Sequence, residues 1–311
     1  VDGTMALVTH NNGAATVVND AGLNFAASTV GGALSATATT GNITDSGALT
    51  ITGTSAFVTI ANDATITLDQ GGHAFTGALL ITTNDTSTDT AGDVTISAGS
   101  STVLDFGNST IDGDLIATSS NATGITDSGA MTVRGTASFQ TTATNADISL
   151  GTSTLGDGTG TDTITLNTTG STGHATLDNG TTVVALGTSA ASLVTNVGGN
   201  LTLTSGAAAG ITDSATVTVG GNLIATTDAN SGVIDLGTLA VDGTIALTTH
   251  NNGAATVVND AGLNFAASTV GGALSATATT GNITDSGALA ITGTSTFTVA
   301  NGQSVILDES S

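Results

Sequence analysis

The residues of this chain that could do chemistry are its carboxylates. The 311 residues include 24 Asp and Glu but a single Lys or Arg, which gives a formal net charge of −23 at pH 7. Two carboxylates one strand spacing apart repel by roughly 0.9 kcal/mol in water, and Ca²⁺ prefers oxygen ligands of this kind. We therefore predict possible calcium ligands, with turn capping as the alternative role, at Asp112, Asp114, Asp235 and Asp242.

Catalytic residues are not predicted. Paired carboxylates can cleave glycosidic bonds, but a polysaccharide enzyme also needs cations or aromatic rings for its substrate. The chain has one Arg, Arg134, and no Trp or Tyr. Its four histidines are expected to be solvent-facing loop residues, and two of them occupy the same position in a repeat: His10, His73, His174 and His250. We expect no enzyme and no cofactor other than possible calcium.

The charge also limits the partners. A protein binds nucleic acid or anionic lipid through Lys and Arg, which this sequence almost lacks. No apolar stretch is long enough to span a bilayer, and no cysteine is present. Mean hydropathy is positive at +0.32, so the acidity does not indicate a disordered chain. Neither nucleic acid nor membrane insertion is expected.

A repeat then organises the whole chain. The stretch from Val30 to Gly53 reads VGGALSATATTGNITDSGALTITG, and it returns at 111–135, 197–221 and 270–293. Its third-position glycine recurs after 21 or 22 residues in each copy. A fixed period in this range is typical of a solenoid, in which each repeat buries its apolar face against its neighbours.

Apolar residues within the repeat alternate with polar ones, which predicts strands with one buried face. Positions predicted to point inward are Leu49, Ile51, Met131, Val133, Val217 and Val219, and the phenylalanines are expected in the core. The Asp of each ITDS motif, as in Asp45, is expected to cap its own turn. Few helix-favouring residues occur. The predicted fold is all-β, a right-handed parallel β-helix with rungs of about 22 residues, its repeat glycines near one corner.

The sequence also has a longer repeat that contains several rungs. Residues 1–48 return at 241–288 with only Met5 and Val8 changed, to Ile245 and Thr248. We predict one continuous β-solenoid over 1–311, with a tandem block at 1–240 and a partial next copy at 241–311. The first residues already lie within a repeat, which suggests a segment of a longer chain.

The phrases VGGNL, GxITDSG and VxGTxxL, in rungs of about 22 residues with large duplicated blocks, resemble the repeat regions of filamentous-haemagglutinin-type and autotransporter-type bacterial surface proteins. The resemblance covers most of the chain and rests on low-complexity motifs. It implies a right-handed parallel β-helix at the cell surface or outside the cell, used as an adhesive or structural stalk. It implies no specific receptor and no catalytic residue.

The function that these observations favour is structural. We expect an extracellular fibre or stalk segment that associates end to end with itself. Two alternatives remain: a calcium-dependent cell-surface adhesin that binds a receptor or glycan, and a β-helical enzyme that degrades polysaccharide.

Overall fold

The computed structural model describes residues 3–84, 91–151, 153–189, 192–228 and 231–309. Every regular element in these ranges is a β-strand, and the parallel sheets stack as a β-solenoid of about 13 turns at a spacing of about 22 residues. The predicted all-β solenoid is confirmed. The chain divides into two compact units, residues 1–155 and 156–311.

The first unit contains nineteen strands in its described part. They are β1 (Thr4–Met5), β2 (Ala15–Asn19), β3 (Leu23–Phe25), β4 (Ser28–Val30), β5 (Leu34–Ala38), β6 (Ile43–Asp45), β7 (Leu49–Ile51), β8 (Ser55–Asn62), β9 (Ile66–Phe75), β10 (Leu79–Asn84), β11 (Val94–Ala98), β12 (Leu104–Phe106), β13 (Ser109–Ile111), β14 (Leu115–Ser119), β15 (Gly124–Asp127), β16 (Met131–Val133), β17 (Ala137–Thr144), β18 (Asp147–Leu150) and β19 (Ser153–Leu155).

The second unit contains eighteen strands in its described part. They are β20 (Ile164–Thr169), β21 (Ala175–Asp178), β22 (Val184–Leu186), β23 (Asn196–Val197), β24 (Leu201–Ser205), β25 (Ile211–Asp213), β26 (Val217–Val219), β27 (Leu223–Thr227), β28 (Ile234–Val241), β29 (Ile245–Thr248), β30 (Ala255–Asn259), β31 (Leu263–Phe265), β32 (Ser268–Val270), β33 (Leu274–Ala278), β34 (Ile283–Asp285), β35 (Leu289–Ile291), β36 (Ser295–Val299) and β37 (Val305–Ile306).

A typical turn consists of one long strand and two short ones. In the first unit the long strand β5 pairs in parallel with β2 below and β8 above, so that Leu34 lies between Ala15 and Ser55. The short strands β6 and β7 follow, and they pair with β3 and β4 of the preceding turn. All strand pairs in the described ladders are parallel, so each turn obtains its backbone partners from its neighbours.

The long and short strands exchange sides within each unit, which the sequence did not reveal. In the first unit the long strand β11 covers both ends of β9, while the short strands β12 and β13 both lie on the long strand β10. In the second unit β30 covers β28, and β31 and β32 lie on β29. ITDS motifs on either side of an exchange therefore lie in different sheets and are not separated by whole turns.

The core is built from the predicted alternating positions. The six residues predicted to point inward are at most 1% exposed. Phenylalanines stack edge to face along the core of the first unit, with ring centroids 6.2 Å apart for Phe25 and Phe57 and 6.3 Å for Phe57 and Phe75. The inward prediction is confirmed, and the strand alternation of the sequence sets which side chains form the core.

Glycines of successive turns stack at the corner before each long strand. A Cβ on Gly53 would lie 2.6 Å from the backbone nitrogen of Ala33, so no other residue fits there without a shift of the backbone. The prediction of a single corner is wrong, because the exchange of sides moves the corner. Each unit has two columns: Gly13, Gly32, Gly53 and Gly77, then Gly92, Gly113 and Gly135; and Gly173, Gly199, Gly221 and Gly243, then Gly253, Gly272 and Gly293.

The duplicated block provides a matched pair for testing core packing. Phe57 is fully buried between two other rings, whereas Phe297, at the same position in the second copy, is half-buried against Phe265 alone. We expect Phe57→Ala to lower the free energy of unfolding by about 3–5 kcal/mol, because it leaves a cavity. Phe297→Ala should cost clearly less in the same denaturant titration, and equal losses would contradict this account of the core.

Candidate functional site

The two candidate calcium ligands of the first unit already have partners. Asp112 Oδ1 forms a salt bridge of 3.1 Å with Nη1 of Arg134. Asp114 Oδ1 accepts a hydrogen bond of 2.7 Å from the backbone N–H of Thr136, while its own N–H donates to Asp93 Oδ1 at 2.9 Å. Burial raises the pKa of Asp114, the Thr136 hydrogen bond opposes that shift, and the charge of Asp93 adds to it. The carboxylates of Asp93 and Asp114 thus cap backbone N–H groups of the following turn.

The two candidates of the second unit lie apart from each other along one strand. Asp235, near the start of β28, is exposed between Thr212 and Thr256 of the adjacent strands. Asp242 follows the end of β28 and is also exposed. Within the described residues, no group of three or more His, Asp or Glu side chains is placed to hold a metal ion. Calcium binding stays a prediction.

The aspartates of the ITDS motifs act between turns, which corrects the prediction that each caps its own turn. Asp213 Oδ1 accepts the N–H of Gly237 at 2.7 Å, and its Oδ2 accepts the N–H of Thr238 at 2.8 Å and the hydroxyl of Thr238 at 2.9 Å. These donors lie one turn further along the chain. Asp45, Asp127 and Asp285 accept backbone N–H groups of the following turn in the same way.

Asparagines form a second series of such caps at other corners. Asn200 Oδ1 accepts the N–H of Asn222 at 2.9 Å, and Asn222 Oδ1 in turn accepts the N–H of Thr244 at 2.9 Å. The same contact is made by Asn42, Asn108 and Asn282. Short Asp and Asn side chains thus continue the ladder of hydrogen bonds where the strands end, and this role accounts for much of the polar composition.

One of these caps contains a buried histidine. His73 Nε2 lies 2.9 Å from Asp45 Oδ2, and neither side chain has any solvent exposure. His73 Nδ1 accepts the backbone N–H of Leu49 at 2.9 Å, so the neutral imidazole carries its proton on Nε2, the nitrogen that faces the carboxylate. The ring stacks on Phe75 with centroids 5.5 Å apart. The prediction of a solvent-facing loop histidine is wrong for His73 and holds for the exposed His10 and His250. His174 is half-buried, and its Nδ1 accepts the N–H of Asn200 at 2.8 Å.

Burial moves both pKa values of this pair. Desolvation lowers the pKa of His73, and the charges of Asp45 and Asp69 oppose that shift. Desolvation likewise raises the pKa of Asp45, against the opposing effect of His73. In the equivalent caps the second carboxylate oxygen is bound by a neutral group: the hydroxyl of Ser153 at Asp127, and that of Thr238 at Asp213. His73 therefore adds a second titratable group to one cap.

The first strands of the chain form an open edge. Met5, Leu7, Ala15 and Val17 are only half-buried there. In the second copy the corresponding residues are fully buried against β27 and β28: Ile245, Leu247, Ala255 and Val257. We call residues 4–8 with β2 the N-terminal edge.

The last turn forms the opposite open edge. Leu289, Ile291, Phe297 and Val299 are half-buried, and Ser295 is exposed. Their counterparts in the first copy are fully buried by β9 and β10: Leu49, Ile51, Phe57, Thr59 and Ser55. Val305, Ile306 and Leu307 are 41%, 46% and 37% exposed. We call β35 to β37 with Leu307 the C-terminal edge.

Comparison with protein families finds one match. A family model described as repeats of unknown function (DUF5649) matches residues 12–82 and 252–311, which is less than half of the chain. The two matched segments start at the same position of the duplicated block. No curated protein and no solved structure matches the chain. The match and the fold agree on a tandem-repeat β-helix protein. Among the described residues, no helix could cross a membrane.

Removal of divalent ions tests the calcium prediction. If the aspartates only cap turns, an excess of EDTA should leave the melting temperature unchanged, because no ligand is lost from the folded state. A calcium site would instead stabilise the fold by RT ln(1 + [Ca²⁺]/Kd), so EDTA would lower the melting temperature and added calcium would restore it. Thermal melts with EDTA, and with EDTA followed by excess calcium, distinguish the two roles.

Acidification tests the buried histidine. A histidine with a lowered pKa binds fewer protons in the folded state, so its stabilisation is present above the unfolded pKa of about 6.5 and is lost as pH falls below it. The raised pKa of Asp45 acts in the opposite direction. Between pH 7.5 and 5.5 we expect wild type to lose stability and the Leu49 amide to exchange faster. His73→Gln should abolish this slope and His10→Gln should keep it; a slope unchanged by His73→Gln would contradict the assignment.

Proposed function

We propose that this chain is a segment of an extracellular fibre or stalk, built from tandem β-solenoid repeats that associate end to end. The observation that carries the proposal is the pair of open edges. Each edge resembles in sequence a turn that is fully covered elsewhere in the chain, with a few substitutions. The cover there is a turn of parallel strands. Another turn of solenoid is therefore the natural partner for each edge.

The energy of such a contact is modest. Full burial of a large apolar side chain stabilises by about 1.5–3 kcal/mol, so a half-open one gains about half of that. Six of the half-open side chains at the two edges are Met5, Leu7, Val17, Phe297, Val305 and Leu307. Together they supply on the order of 6 kcal/mol, against roughly 4–15 kcal/mol lost on association. Backbone pairing must contribute the rest, so assembly should depend on protein concentration.

Charge opposes the contact. Each chain carries a formal net charge of −23, so two copies repel each other at low ionic strength. Salt at about 1 M shortens the screening length to about 3 Å and strengthens apolar association. A fibre held by burial and backbone pairing should therefore persist in high salt, whereas one held by ion pairs would dissociate.

The extracellular setting is supported by the acidic composition and by the resemblance of the repeat phrases to bacterial surface proteins. A calcium-dependent adhesin remains the alternative proposal, and the chelation experiment bears on it. A catalytic role is the third possibility, and the low number of cations and aromatic residues speaks against it.

A pair of neighbouring substitutions tests end-to-end assembly. Val17 faces the core side of the N-terminal edge, while Val18 points outward and is 67% exposed. Val17→Lys should shorten or abolish filaments, because assembly would bury an unpaired charge. Val18→Lys adds the same charge on the outer face and should leave filaments intact. Electron microscopy and sedimentation in 0.15 M and 1 M salt provide the measurement.

The wild-type result decides the proposal. Filaments or linear oligomers that persist in 1 M salt and disappear in Val17→Lys support it. Monomers at all accessible concentrations, or filaments that dissolve in 1 M salt, would contradict association through the edges.

A further inference from the structure

The second unit shows how the sequence of the N-terminal edge is covered. Strands β29 and β30 repeat residues 5–8 and 15–19, with only Ile245 and Thr248 changed. Below them lies the turn formed by β27 and β28. Ile245 pairs with Leu223, and Ala255 pairs with Ile234.

The C-terminal edge is equivalent to that underlying turn. Strand β28 begins by pairing Ile234 with Ile211 of an ITDS motif, and β37 begins by pairing Val305 with Ile283 of another ITDS motif. The long strands before them also correspond, since β27 lies on β24 and β36 lies on β33, and a glycine corner precedes both β27 and β36. The last turn thus offers the arrangement on which β29 and β30 rest.

We propose, on the basis of the end-to-end association proposed above, that the N-terminal edge of a second copy docks on the C-terminal edge in one defined register. Met5 pairs with Ser295, Leu7 covers the ring of Phe297, and Ala15 pairs with Val305. On the outer face Thr16 of one copy lies beside Ile306 of the other. Each pair is the counterpart of an observed one: Ile245 with Leu223, Leu247 with Ala225, Ala255 with Ile234, and Thr256 with Asp235.

In this register Phe297 is covered on both sides, as its counterpart Phe57 is. Phe57 has a ring on one side at 6.2 Å and another on the other side at 6.3 Å. Phe297 has only Phe265, at 6.5 Å. Leu7 of the second copy would close the open side of the Phe297 ring. The contact is head to tail and does not close on itself, so it extends into a filament.

Disulfide trapping tests the register directly, because the chain has no cysteine of its own. Two single-cysteine proteins, Thr16→Cys and Ile306→Cys, are mixed under mild oxidation, with a size tag on one of them. Neighbouring parallel strands place paired Cα atoms about 4.8 Å apart, within the range of a disulfide. The matched control pairs Ile306→Cys with Val18→Cys. Val18 lies two residues further along the strand than Thr16, so the distance between its Cα and that of Ile306 exceeds about 7 Å. A disulfide does not bridge this distance without backbone movement.

The products distinguish the possible contacts. Faster covalent dimer formation between Thr16→Cys and Ile306→Cys than in the control mixture supports the register. Filaments whose subunits cross-link faster through Val18→Cys would overturn the register while leaving end-to-end association intact. Dimers of Ile306→Cys with itself would show antiparallel pairing of two C-terminal edges and overturn the proposal. Absence of both cross-links and oligomers would overturn the register together with the proposed assembly.

Discussion

Parallel pairing between successive turns is the interaction on which the rest of this structure depends. One turn presents unpaired N–H and C=O groups and an apolar face on both of its sides, and only a neighbouring turn of similar shape satisfies all of them. The free energy of folding is therefore a sum of the contacts between neighbouring turns, and a turn at an end lacks the contacts of one neighbour. The different environments of Phe57 and Phe297, which occupy the same position of the repeated block, follow directly from this constraint.

The same constraint explains the unusual composition. Strands are short, so the ladder is interrupted at every corner, and a buried or half-buried N–H at a corner needs an acceptor. Asp213 and Asn222 supply one by reaching the backbone of the next turn. A short side chain suits this distance, which accounts for the abundance of Asp beside a single Glu. Hydrogen bonds from backbone N–H groups stabilise the carboxylates, so the fold tolerates many acidic residues with almost no cations.

Much of the fold could be predicted because its signals are local. Alternation placed Leu49 and Met131 in the core, and the glycine step gave the length of a turn. The exchange of sides could not be predicted, because a strand of five residues and a pair of three-residue strands are compatible with the same neighbour, and the choice depends on long-range stacking. His73 was missed for a similar reason: its partner Asp45 lies in the preceding turn, and the local sequence QGGHAF has no distinguishing pattern. The four candidate calcium ligands follow from the sequence pattern alone, and the described part of the fold does not bring three of them together. Right-handedness stays a prediction.

Tandem duplication also constrains the edges. Sheet proteins usually protect an open edge with Lys, Pro or an inward-pointing charge. In this chain a residue such as Val17 has a nearly identical copy, Val257, that must fill a core position. A protective charge that spread between copies of the block would be buried in the middle of the solenoid, where an unpaired charge costs several kcal/mol. The sequence contains no Pro and no Lys. The negative charge of the whole chain opposes unspecific pairing of such a turn, and this repulsion weakens as salt concentration rises.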